Sequence, residues 1–70
     1  MTMVLQTITI YVNAEAYKKA SDNFHELERV AKRECSLGGS GNYINVYTTC
    51  EGPIEAVVAW LGEENVEEIV

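Results

Sequence analysis

The sequence has few residues of the types that bind metals or form disulfides. Its 70 residues include only two cysteines, Cys35 and Cys50, and one histidine, His25. Two cysteines form at most one bridge, and no Cys/Cys or Cys/His pair has the spacing of a zinc site. We therefore expect two reduced, largely buried thiols, and neither a metal nor a cofactor.

Long apolar runs are also absent. No stretch approaches the ~18 uninterrupted apolar residues of a membrane helix, and the N-terminus lacks the basic flank and apolar core of a secretory signal. These absences predict a cytoplasmic protein. At 47% hydrophobic and 23% charged residues, the chain is too apolar for a disordered segment, and residues 1–70 are predicted to form a single domain.

Basic residues are missing from both ends of the chain. Residues 1–12 carry no charged side chain, and all five Lys and Arg lie in residues 13–34 beside five acidic residues. Residues 51–70, which we call the acidic segment, have no Lys or Arg and account for the formal net charge of −6. The acidic residues of this segment are Glu51, Glu55, Glu63, Glu64, Glu67 and Glu68.

Two segments alternate with period two, which predicts β-strands with one covered face and one open face. Residues 4–12 place mostly aliphatic side chains on one face. The opposite face of that strand holds Leu5, Thr7, Thr9 and Tyr11. In residues 43–50 the covered face holds Ile44, Val46, Thr48 and Cys50. The open face of this strand holds Tyr43, Asn45, Tyr47 and Thr49.

Two helices are predicted between and after these strands. Asn13 is suited to cap the first helix, whose apolar stripe recurs at steps of three and four residues. The members of that stripe are Tyr17, Ala20, Phe24, Leu27 and Ala31. Pro53 is suited to open the second helix, and Gly62 to end it. Residues 65–70 suit either a helical turn or an edge strand, and we favour the strand.

The glycine-rich residues 37–42 predict a turn, and a short strand before them, at residues 34–37, would make a hairpin. With that hairpin the order is βαββαβ, which predicts an α+β ferredoxin-like sandwich with two helices on one face of an antiparallel sheet. Without it, the reduced βαβαβ order would form a small three-stranded parallel sheet. The Thr and Tyr residues on the open faces argue against that alternative, because parallel sheets are normally covered on both sides.

Catalysis has one candidate residue, Cys50, at the end of a strand just before a helix. A helix N-terminus lowers the pKa of a thiol, but the adjacent Glu51 opposes ionisation and His25 is predicted on a solvated helix face. The glycine-rich turn leads from a helix into a strand, the reverse of a phosphate-binding loop. We therefore expect a protein that is not an enzyme.

The tyrosine-bearing open face of the sheet has two interpretations. Aromatic residues on the strands of a βαββαβ sheet are how RNA-recognition domains stack bases. Such domains also need Lys or Arg for the phosphates, and neither long strand contains one. We therefore expect no direct nucleic-acid or membrane binding, and interpret this face as a surface for protein contact, including a homodimer.

Our functional hypothesis is a small acidic inhibitor or regulator that binds a basic surface of a larger complex. Basic surfaces are most often nucleic-acid-binding grooves, which suggests an inhibitor of the anti-restriction or anti-CRISPR class from a virus. The alternative is a homodimeric structural or sensing module that associates through the open Tyr/Thr face. The residues predicted to contact a partner are Glu63, Glu64, Glu67, Glu68, Tyr11, Tyr43, Asn45, Tyr47 and Trp60.

Overall fold

A computed structural model describes residues 6–32, 35–48 and 51–70. The strands are β1 (Gln6–Val12), β2 (Cys35–Leu37), β3 (Tyr43–Thr48) and β4 (Val66–Ile69). The helices are α1 (Ala14–Asp22), α2 (Phe24–Ala31) and α3 (Gly52–Leu61), and a single 3-10 turn (Glu63–Asn65) leads into β4. The predictions for residues 1–5, Glu34, Thr49 and Cys50 lie outside the described residues.

The four strands form one antiparallel sheet in the order β2-β3-β1-β4. The central pair, β1 and β3, is in continuous register from Gln6 opposite Thr48 to Tyr11 opposite Tyr43. The predicted hairpin is present, because β2 pairs with β3 across the glycine-rich turn. This confirms an α+β sandwich with an antiparallel sheet, and the three-stranded parallel alternative is wrong.

The helices cover one face of the sheet, and the core lies between the two layers. From the sheet, Ile10, Ile44 and Val46 are fully buried. The helices contribute the buried side chains of Ala16, Ala20, Leu27, Ala31, Val57 and Leu61. The alternation in both long strands therefore predicted the covered face correctly, and aliphatic burial on that face is the main stabilising contribution.

The first helical segment is divided in two at Asn23, which the apolar stripe does not reveal. The Asn23 side chain donates to the Lys19 carbonyl at 3.0 Å, and the Asn23 carbonyl accepts from Glu26 and Leu27. A short amide side chain of this kind competes with the backbone ladder and favours a helix end. Apolar side chains of both α1 and α2 pack against the same core, so the break interrupts the backbone without interrupting the stripe.

The predicted helix ends and the C-terminal strand are present. The Asn13 side chain accepts from the Ala16 amide at 2.9 Å and caps α1. Pro53 lies in the first turn of α3, and Gly62 ends that helix with a positive φ of 99°. The 3-10 turn then directs the chain into β4, which pairs with β1. Among the helices described, none is both long and apolar enough to cross a membrane.

Candidate partner-binding surfaces

The face of the sheet away from the helices carries a pair of tyrosines. Tyr11 and Tyr43 are cross-strand partners, and their ring centroids lie 5.6 Å apart with the planes tilted by 55°. The Tyr43 ring also lies against Gly38, where a Cβ would come within 2.5 Å of it. The tyrosines remain partly exposed, so this face offers aromatic surface to a partner.

Much of the polar capacity of the open face is used within the sheet. Thr9 Oγ1 donates to Asn45 Oδ1 at 2.8 Å, and the hydroxyls of Ser36 and Tyr47 lie 3.0 Å apart. The described residues of the four strands include no Lys or Arg. The face is therefore suited to contact through ring surfaces.

The glutamates of the acidic segment are exposed but point in several directions. Glu68 is opposite Tyr11 and therefore shares the open face with the tyrosines. The register between β1 and β4 shifts between Tyr11 and Val12, and Glu67 is the extra residue that this irregularity leaves without a partner. Glu63 and Glu64 are in the 3-10 turn, and Glu55 lies on α3 in the other layer.

Trp60 lies apart from the tyrosines, in the helical layer. Its Nε1 donates to Glu26 Oε1 at 2.7 Å, and Lys19 Nζ lies 4.4 Å from the ring centroid. Lys19 Nζ also donates to the Trp60 carbonyl. Trp60 therefore connects α3 to α1 and α2. The structure brings the predicted contacts Tyr11, Tyr43, Asn45, Tyr47 and Glu68 onto one face, and it separates Trp60 from them.

A groove between α3 and β4 is a feature that the sequence pattern did not indicate. It has a volume of about 350 Å³ and a mostly apolar lining that includes two glutamates. It is lined by Ile54, Glu55, Val58, Ala59, Glu63 and Ile69. Two of these side chains, Ile54 and Val58 of α3, are only partly buried by the core. The groove forms only because β4 lies next to these residues of α3, a placement that a local sequence pattern does not show.

The described part of the chain contains no reactive thiol and no group of three potential metal ligands. Burial, with a smaller contribution from the Glu28 carboxylate, raises the pKa of Cys35 to about 11, so this thiol stays protonated at neutral pH. His25 is exposed, with Nδ1 3.3 Å from Glu28 Oε1. The prediction for Cys50 remains untested, because this residue lies outside the described ranges.

Comparison with known proteins finds no family model, no curated protein and no solved structure that matches this chain. The functional argument therefore depends on the surfaces described above.

Proposed function

We propose that this chain is a non-enzymatic interaction protein that binds a basic surface of a larger complex and inhibits or regulates it. The observation that carries the proposal is that the glutamates of the acidic segment are exposed and unpaired within the described ranges. All six of its glutamates are exposed, and none forms an ion pair with another residue of the described ranges. Their charges are therefore available to attract a partner.

None of the described Lys and Arg residues belongs to the acidic segment itself. Lys18 pairs with Asp22 at 2.9 Å, a contact that raises the pKa of the lysine, and Lys19 contacts Trp60. Both lysines belong to α1, whereas the acidic segment includes α3, the 3-10 turn and β4. The glutamates of this segment are therefore not neutralised by ion pairs within the described ranges, which favours attraction of a basic partner.

The partner class that we favour is a nucleic-acid-handling complex, because such a complex presents a groove of Lys and Arg residues that neutralise phosphates. Occupying such a groove would make this protein a competitor of the nucleic acid, in the manner of anti-restriction and anti-CRISPR inhibitors as a class. We also propose a cytoplasmic location and the ferredoxin-like arrangement of the sandwich. The β2-β3-β1-β4 strand order and the return of helical segments to one face support that arrangement.

The proposal is tested by capturing partners with the tagged protein at low and high salt and identifying them by mass spectrometry. Two variants reverse pairs of charges in the acidic segment: Glu63→Lys with Glu64→Lys, and Glu67→Lys with Glu68→Lys. The matched control, Glu15→Lys with Asp22→Lys, changes the net charge equally on α1. We expect a salt-sensitive partner that the control retains and that at least one acidic-segment variant loses. Equal retention by all three variants would contradict the proposal.

The alternative function is a homodimeric module that associates through the open face. The specific observation in its favour is the partly exposed tyrosine pair, Tyr11 and Tyr43, on a face that lacks Lys and Arg throughout its described strands. Tyrosine supplies a large contact area at low entropic cost. Sedimentation of the purified protein tests it: this function requires a salt-resistant dimer that Tyr47→Glu converts to a monomer.

A further inference from the structure

We propose that the outer edge of β4 binds an extended basic segment of a partner protein, which adds to the sheet as a fifth strand. This proposal rests on the proposed function, because it names the part of the acidic segment that holds the partner and the form that the partner takes. It depends on three observations, which concern backbone groups, side-chain direction and charge.

The first observation is that β4 is an edge strand with backbone groups directed outward. Thr9 and Val70 exchange both backbone hydrogen bonds, at 3.0 and 2.8 Å. In an antiparallel ladder, such doubly bonded pairs alternate with pairs that exchange no hydrogen bond. Ile69, opposite Ile10, is the next pair, so its N–H and C=O point away from β1. An extended peptide can pair with these two groups.

The second observation is that the two sides of this edge differ chemically. The Ile69 side chain lies on the helical side, lines the groove beside α3 and is 48% exposed. Glu68 lies on the open side, beside Tyr11. A residue paired with Ile69 would place its side chain next to the apolar groove, and its neighbours in sequence would point to the Glu68 side. The edge therefore suits a strand in which apolar and basic residues alternate.

The third observation is the charge, which decides between a partner and a second copy of this chain. Pairing of two β4 edges would bring Glu67 and Glu68 of one copy close to the same residues of the other, and like charges across strands are destabilising. Charged residues and irregular pairing at an edge are devices by which proteins prevent self-association. The Lys or Arg residues of a basic strand would instead be attracted by Glu67 and Glu68. We therefore assign the edge to a basic strand of a partner.

The probe for this proposal is an eight-residue peptide of alternating lysine and valine with blocked ends. Its valines would pair with Ile69 and enter the groove, and their amides would face β4. We expect binding that protects the Ile69 amide from hydrogen exchange. Methylating the valine amides should weaken binding at least tenfold, whereas methylating the lysine amides, which face away from β4, should have little effect.

Two protein variants test the same contact from the other side. Ile69→Pro removes the outward N–H at a position where an edge strand tolerates proline, and Ile69→Ala controls for loss of the side chain. We expect the proline variant to bind the peptide at least tenfold more weakly than the alanine variant. If the proline variant does not fold, the two methylated peptides still decide the question with unaltered protein.

Several results would overturn the proposal. One is that the peptide does not bind at all, and another is that the two methylated peptides bind equally. A third such result is tighter binding of a peptide with the same lysines and valines placed at helical spacing. A concentration-dependent dimer paired through β4 would assign the edge to a second copy instead.

If the methylated peptides bind equally but Glu67→Lys with Glu68→Lys abolishes binding of both, edge pairing is wrong while attraction of basic partners remains. If charge reversal affects neither the peptide nor the captured partner, the proposed function fails as well.

Discussion

The two faces of this sheet are built from the same strands but are stabilised in different ways. On the face under the helices, Ile10, Ile44 and Val46 are completely buried. On the open face, alternate residues of the same strands form polar and aromatic pairs, such as Thr9 with Asn45 and Tyr11 with Tyr43. The covered face therefore supplies the core that stabilises the fold. Residues of the open face and of the outer edge of β4 can be substituted without removing a fully buried core side chain.

The largest difference between the faces is expected at neighbouring positions of β3. Ile44→Ala should lower the free energy of unfolding by about 2–5 kcal/mol, because it removes buried methyl groups and leaves a cavity. Asn45→Ala, on the open face, should cost about 1 kcal/mol, near the net contribution of one partly exposed hydrogen bond. Urea denaturation of both variants provides the measurement. Equal losses would contradict the distinction between the faces.

The covered face should also make stability depend on alkaline pH through Cys35. Its pKa is about 11 in the folded protein against an ordinary value of 9.0, so its stabilising contribution is complete below pH 9. That contribution is lost as the pH rises from 9 to 11, by about 2–3 kcal/mol in total. Tyrosines also ionise in this range. The measurement is therefore the free energy of unfolding as a function of pH, compared between the wild type and Cys35→Ala. Parallel curves would show that Cys35 is not the cause.

Gly38 tests how closely the open face is packed. Gly38→Ala would place a methyl group 2.5 Å from the Tyr43 ring, which must then move away. We expect a loss of about 1–2 kcal/mol, the lower part of the range for overpacking, because the end of a side chain yields more easily than backbone. Gly39→Ala is the matched control, since nothing lies within 4 Å of that position. A similar melting temperature for the two variants would contradict this account.

The smallest effect concerns the tyrosine pair itself. A double-mutant cycle with Tyr11→Leu and Tyr43→Leu should give a coupling energy of about 0.5–1.5 kcal/mol, the usual range for aromatic pairs. Because the rings contact each other at 5.6 Å between centroids, the two substitutions should not be additive. Additive losses in thermal unfolding would mean that the rings contribute separately and that the open face lacks this internal contact.

Local sequence patterns predicted most of the architecture. Alternation identified both long strands and their covered faces, and Asn13, Pro53 and Gly62 marked helix ends through their backbone chemistry. The break at Asn23 was missed because the apolar stripe continues across it. A hydrophobic period reports which side of a segment faces the core, and it contains no information on whether the backbone ladder is continuous.

The arrangement of the candidate surfaces was less predictable, because it depends on tertiary contacts. The side on which Glu68 lies follows from a register shift between β1 and β4, which no local pattern indicates. Trp60 was grouped with the tyrosines, yet its contacts with Lys19 and Glu26 place it in the helical layer. The groove beside β4 required the positions of both α3 and the last strand.

The position of Trp60 has a consequence for the fluorescence of the protein. It is the only tryptophan in the chain, and its indole contacts side chains of α1 and α2. Its emission therefore reports the docking of the three helices separately from the tyrosine-bearing sheet. A ligand that occupies the open face should leave that emission unchanged, whereas a change on binding would show that the helical layer itself had rearranged.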